Sequence, residues 1–572
     1  MLLFNPTNYI NLKNRMLQDW FNKNIGQVTT EVIEKWFVYN EKEPLLFNTG
    51  LFLGLFLVFY FWYVLLRKAD TLRMIYVILF SLFFYYKSSG IYFLLLLGSA
   101  VVDYNLGNLV HRTSSVLNKK LCLTFSIILN LGFLGYFKYS NFLVDITNNL
   151  TGGKLAFFDV ILPVGISFYT FQSISYIIEI YRKEIVPTKR FMDYLFFVSF
   201  FPQLVAGPIV RAKDFLPQIY QKLNVTQDDI NRAFLLIIGG LIKKTVISDY
   251  ISLNFVDRVF DLPNSYTPFE NLMASYGYTI QIYCDFSGYS DMAIGVALLL
   301  GFKLPTNFRS PYKSTSITDF WRRWHISLST WLKDFLYISV GGNRNGTFAG
   351  FLFPSLFFLG LIVWGISYAS TSTIPLIIGI ASTILFAFTF IFSKEREKTM
   401  YTNVNLMTTM LLGGLWHGAS LRFIIWGALH GMALAIHKIF LEYYPPSKRK
   451  IFFLTPFLKI IGILVTFHFV AFCWIFFRAK DFTTALQIIN NIGKVTFDFN
   501  QWLTIIQGYQ NVFILMFFGY FWHYIPEKVT IAIQNVYKAM PLISRAIILG
   551  LVFWLVYATA SAGPQPFIYF QF

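Results

Sequence analysis

Charge is scarce in this chain. Only 13% of its 572 residues are Asp, Glu, Lys or Arg, against about 25% in soluble domains. A chain this poor in charge cannot dress the surface of a soluble molecule its size. Cysteine is scarcer still: Cys122, Cys284 and Cys473 lie far apart in apolar surroundings. That spacing gives neither a thiolate metal site nor a disulfide framework, so buried thiols are expected. No GxSxG elbow, HExxH helix or Walker loop occurs, which leaves serine-hydrolase, zinc-peptidase and P-loop chemistry without support. Met1–Pro44 is polar and lacks the basic start, short apolar core and cleavage site of a signal peptide. The first apolar span is therefore expected to direct insertion. Repeats of about 20–50 residues and low-complexity linkers are also missing.

What is abundant is apolar and aromatic side chain, at 56% and 20% of residues. A membrane crossing takes about 20 apolar residues. Leu45–Leu66, Leu121–Leu143, Phe351–Tyr368, Ile374–Phe392, Ile451–Phe477 and Ala546–Ala562 qualify or come close. With shorter pieces such as Met74–Tyr86 and Ile91–Val102, about 11–14 spans are expected, some pieces being re-entrant or interfacial. The expected fold class is an all-α polytopic membrane protein. A polar extension covers 1–44, with an amphipathic helix around Thr29–Val38, and one membrane domain covers 45–572.

The net charge of +18 would raise nucleic acid as a partner of a soluble chain. Here the bases sit between spans, so the bilayer is the expected partner and nucleic acid is not. Arg67, Lys68 and Arg73 form one group, Arg112, Lys119 and Lys120 a second, and Arg182, Lys183, Lys189 and Arg190 a third. Placing all three in the cytoplasm makes Met74–Val102 a hairpin and leaves the amino terminus outside. Lys394–Lys398 and Tyr443–Lys450 read as loops.

Two apolar tracts carry histidine. In Thr318–Val340 (TDFWRRWHISLSTWLKDFLYISV) helical spacing gathers Trp321, Trp324, Leu328, Trp331 and Phe335 on one face. Three tryptophans on that face suit a helix lying in the membrane interface, with Thr318 as N-cap and His325 within the face toward one edge. A histidine so placed is either a hydrogen-bonded packing residue or a reacting group. The tract Val404–Phe440 is too long for one ordinary span and is broken by Gly413, Gly414 and Gly418 around His417. Broken helix at membrane depth is tolerated only against protein or a cavity, and an ionisable residue there is a functional candidate. A neutral imidazole can take a proton from an attacking hydroxyl and return it to a leaving group. The indole N–H of Trp416, backbone N–H groups or the imidazole of His325 could stabilise the oxyanion. His430 and His437 share a helix face and read more simply as packing residues.

Asp285 and Asp291, within CDFSGYSDMAIG at Cys284–Gly295, are costly in apolar surroundings unless paired or hydrated. They either wall a cavity or join helices. GGNRNG at Gly341–Gly346 lacks the Lys-Ser/Thr ending of a phosphate loop and reads as a turn, with Arg344 as a candidate anion contact. Transporters also use broken helices and buried acids, so ion transport stays open.

The longer motifs are PVGISFYTFQSISY at Pro163–Tyr176, FFPQLVAGPIVR at Phe200–Arg211 and DFSGYSDMAIG at Asp285–Gly295. They continue with FWRRWHISLSTWLKDFLYISVGGNR at Phe320–Arg344, GGLWHGAS at Gly413–Ser420, WIFFRA at Trp474–Ala479 and the terminal FIYFQF. From Leu51 onward the chain resembles the membrane-bound O-acyltransferase family, and within it the alginate O-acetyltransferase type. The resemblance implies a funnel or tunnel through the membrane core, with His417 as the catalytic histidine and His325 as the family's second histidine. It implies transfer of an acetyl group from a cytoplasmic donor, acetyl-coenzyme A, toward a secreted or cell-surface polysaccharide. No permanent cofactor and no metal are implied. A bacterial inner-membrane location follows, with a periplasmic or membrane-anchored SGNH-type acetyltransferase as partner. D-alanylation of teichoic acid, or acylation of lipid or protein, is the alternative within the family; a transporter or export scaffold is the non-enzymatic one. Two features depart from the family pattern: the extension Met1–Pro44, and extra apolar material that reads as a helical hairpin inserted over 349–395.

Overall fold

The computed structural model describes residues 34–41, 43–205, 207–367, 374–391, 396–444 and 455–559. Among the described residues the regular structure is helical, with no strand. The helix around Thr29–Val38 is seen only over 34–37, because 1–33 lie outside the described residues, as do FIYFQF and most of the loop 443–450.

Six described stretches are long and apolar enough to cross a membrane: Gly50–Lys68, Asp70–Arg112, Val116–Asn148, Leu421–Tyr443, Pro456–Arg478 and Leu542–Thr559. The short pieces Met74–Tyr86 and Ile91–Val102 are not re-entrant fragments. They fall in two 20-residue helices, Asp70–Ser89 and Phe93–Arg112, and the short 3-10 turn Gly90–Tyr92 that joins them. Gly90 has φ 61, a left-handed conformation that a side chain would strain, and a Cβ there would press on the Tyr39 ring at 3.0 Å. Residues 34–41 pack at this end: Lys87 Nζ donates to the Lys35 carbonyl at 2.9 Å and also to that of Val38.

Phe348–Ser367 and Ile374–Ile391 are two further apolar helices. Several long helices are sheathed in protein rather than lipid, and so carry polar side chains that a lipid-facing span excludes. Pro268–Leu299, the central helix, is buried along most of its 32 residues. Its start is sharply specified, with Pro268 in the first turn and a capping box between Thr267 and Glu270. It lies against Gln227–Leu241 and the π-helical continuation Ile242–Asp249. Glycine permits the approach: a Cβ on Gly288 would stand 2.8 Å from the Gly240 carbonyl, and one on Gly295 2.7 Å from that of Ala233.

The tract Thr318–Val340 is not a single interfacial helix. Ile317–Trp321 is capped by Ser316, not Thr318, and Ile326–Trp331 begins after a break at His325 and runs on as the π-turn Leu332–Tyr337. Its tryptophans face protein. Trp331 stacks on Phe171 at 3.8 Å and donates its indole N–H to the Phe171 carbonyl; Trp324 packs among Phe308, Phe320 and Trp474. Burial in protein satisfies the amphipathic pattern as well as an interface would, and periodicity alone cannot separate the two.

Val404–Phe440 also breaks differently from expectation. Gly413 and Gly414 lie inside the helix Arg396–His417, and the chain reverses after His417 through Gly418 into Leu421–Tyr443. Gly414 and Gly427 instead let the two helices touch, since a Cβ on either would overlap a carbonyl of the other helix. Phe348–Ser367 and Ile374–Ile391 pack on this pair through Phe358, Leu361 and Phe386, against Val404, Met407 and Leu411.

Candidate active site

His417 closes its helix inside the protein, with 2% of its surface exposed. Its ring lies 4.9 Å from Trp426 and 5.2 Å from Phe477, edge to face in both cases. Lys138 Nζ donates to the carbonyls of Trp416 at 2.5 Å and His417 at 3.2 Å, and the Tyr139 hydroxyl donates to Leu415 at 2.9 Å. On the other side of the break, Arg422 donates to the Phe477 carbonyl at 2.9 Å and to that of Ala479. The turn that presents His417 is thus fastened from two neighbouring helices.

His325 is 3% exposed and left-handed, with φ 42. A non-glycine residue in that region is strained by roughly 1–3 kcal/mol and persists only where its surroundings over-determine it. Here they do. Nδ1 of His325 accepts from the Leu328 N–H at 3.4 Å. Asn307 takes the Ser327 N–H and hydroxyl on its side-chain oxygen, and its backbone carbonyl takes the Ile326 N–H. The Ser327 hydroxyl in turn accepts from the Ile209 N–H at 3.0 Å.

Both histidines stand against Trp416. Its ring lies 5.0 Å from His417 and 6.3 Å from His325, and His325, Lys138 and His430 all stand within electrostatic reach of His417. Separate sequence motifs build the walls: Phe168 and Phe171 against Trp416, Phe286 against His325, and Phe477 against His417. The constellation offers one buried imidazole at a helix break, a second imidazole and an indole N–H beside it. That set can move a proton and donate hydrogen bonds to a developing oxyanion.

The remaining sequence candidates have partners of their own. Asp285 pairs with Lys244 at 2.5 Å and Asp291 with Lys243 at 2.6 Å, so both acids join the central helix to the π-helical segment. Lys244 also holds Asp249 at 2.8 Å. Arg344 sits on an open surface pocket of about 800 Å³ with Asn345, Glu397 and Tyr401. Its turn is stapled to the His417 helix by Asn405, which donates to the carbonyls of Gly342 and Asn345 at 2.9 Å. His430 is fully buried among Phe320, Trp321, Trp426 and Phe469, and His437 bonds the Thr318 hydroxyl through Nδ1 at 2.8 Å.

Sequence reasoning missed Lys138, Tyr139 and Asn307. Lys138 carried a usable signal, a lone lysine inside the apolar run Leu121–Leu143; Asn307 carried none.

A profile of the membrane-bound O-acyltransferase family matches residues 181–367, a stretch that includes His325 and ends before His417. The chain is 37% identical to the peptidoglycan O-acetyltransferase of Helicobacter pylori over 478 residues, covering 78% of this chain and 80% of the relative. The chain belongs to the membrane-bound O-acyltransferase family. It is also 37% identical to the probable alginate O-acetylase AlgI of Pseudomonas aeruginosa over 467 residues, 80% of this chain and 76% of the relative. Similarity to the teichoic acid D-alanyltransferase of Bacillus subtilis is lower, 27% over 338 residues, or 56% of this chain and 69% of the relative. As a family member the chain is a multi-pass membrane acyltransferase, and the transporter and scaffold alternatives fall away.

Proposed function

We propose that this acyltransferase moves an acetyl group from acetyl-coenzyme A at the cytoplasmic face of a bacterial inner membrane toward hydroxyls of a cell-envelope polysaccharide. His417 is its general base. The gathering of His417 and His325 around Trp416, at a helix break inside the protein, carries the assignment of the site. The relatives' names, acetylases of peptidoglycan and alginate, support the reaction.

His417 takes the proton of the attacking hydroxyl as its oxygen bonds to the acyl carbonyl carbon. The thioester C–S bond then breaks, and His417 returns the proton to the departing sulfur, leaving an acetyl ester and the free thiol of coenzyme A. His325 and the Trp416 indole N–H are the donors placed to stabilise the oxyanion. The attacking hydroxyl belongs either to the sugar or to an SGNH-type partner enzyme that completes the transfer outside. D-alanyl transfer is the second reading, favoured by the likeness to the Bacillus subtilis protein.

The test uses purified protein in lipid nanodiscs with radiolabelled acetyl-coenzyme A and, in parallel, a labelled D-alanyl thioester. Acetyl label released or transferred by the wild type and lost in His417→Ala is the expected result. Equal turnover in His417→Ala would remove the general base, and preference for the D-alanyl thioester would replace the substrate.

A further inference from the structure

We propose that Lys138, with Tyr139 beside it, is a positioning residue for His417; this rests on His417 being the proton-transferring group. A helix leaves its last carbonyls without intrahelical donors, and here those carbonyls belong to the reacting residue and its two predecessors. One helix, Val116–Thr151, supplies partners for all of them. Lys138 Nζ takes Trp416 at 2.5 Å and His417 at 3.2 Å, and the Tyr139 hydroxyl takes Leu415 at 2.9 Å. The ammonium also stands 5.9 Å from the centroid of the Trp416 ring, which both histidines flank.

The physics is reciprocal. A cation at a helix C-terminus complements the negative end of the macrodipole, and a lysine in an apolar span needs such a partner. The chain turns away at Gly418 directly after His417, so no further turn of its own helix holds the residue in place. The clamp therefore sets where the imidazole stands relative to His325 and an incoming acyl group. Lys138 acts through backbone and makes no contact with substrate in this role.

The experiment compares full-length Lys138→Met, Lys138→Arg, Tyr139→Phe and His417→Ala in nanodiscs, reading kcat, KM for acetyl-coenzyme A and thermal unfolding. Misplacing a reacting group by about 1 Å costs on the order of 100-fold. Lys138→Met is expected to lower kcat by about 10–100-fold with KM within about twofold, and Lys138→Arg to recover most of the loss. Tyr139→Phe lowers kcat less. A kcat for Lys138→Met within about twofold of wild type, or a loss confined to KM, overturns the proposal. If Lys138→Met fails to accumulate, Tyr139→Phe decides, and a wild-type kcat there overturns it. His417→Ala separates the two readings: if it still turns over, the general base was misassigned. If it is inactive while Lys138→Met matches wild type, only the clamp falls.

Discussion

Lys244 is 2% exposed at its side chain and lies between Asp249 and Asp285. Removing one partner of a buried ion pair leaves an uncompensated charge, at about 3–5 kcal/mol. Lys244→Met is therefore expected to lower the thermal unfolding temperature sharply, and adding Asp285→Asn should recover part of the loss. Lys243 and Asp291 are partly exposed, so Lys243→Met should be milder; equal effects would show that water reaches both pairs. His325 poses a different residue-scale question, because its left-handed backbone and its imidazole can be separated. His325→Gly relieves the strain while deleting the ring. It should melt within a few degrees of wild type yet turn over more slowly, though faster than His417→Ala. Wild-type turnover in His325→Gly would leave the ring without a part in the reaction.

Elements make sharper demands than residues, because backbone cannot give way. Gly239 and Gly240 are neighbours on Gln227–Leu241. A Cβ on Gly239 meets nothing within 4 Å, while one on Gly240 would lie 2.5 Å from the Gly288 carbonyl. Gly239→Ala should hold or raise the melting temperature, since alanine favours helix by about 1 kcal/mol. Gly240→Ala should lower it by the equivalent of about 1–3 kcal/mol, and the reverse order would place the contact between these helices elsewhere. A second glycine pair shows the limit of reading glycine in sequence. Gly413 and Gly414 look like a helix break beside His417, but only Gly418 lies in one. Gly414 is needed for close packing on Phe423, and a missing side chain looks the same in sequence whether it frees the backbone or admits a neighbour.

For the whole molecule, sidedness is the property to measure. Residues 34–41 pack at the Gly90 end of Asp70–Ser89, away from Arg73. Lys119 and Lys183, from two of the basic groups, line one surface pocket together with His111. With Cys122 replaced by serine, Glu41→Cys is expected to react with an impermeant maleimide from outside intact cells. Lys119→Cys should react only after lysis; labelling of both from one side would overturn the orientation.

Composition and pattern by themselves determined that this is a helical membrane protein, because scarce charge and long apolar runs admit few other solutions. Family motifs long enough to read in order also marked His417 and His325. Tertiary structure alone decided that the two imidazoles share one indole, that Asp285 and Asp291 are occupied by lysines, and that Lys138 holds the end of the His417 helix. Those relations join residues far apart in the chain, 278 positions in the case of Lys138 and Trp416. Helical periodicity reports which face is apolar, but not whether lipid or another helix covers it. Which polar groups meet inside is set by how the helices cross.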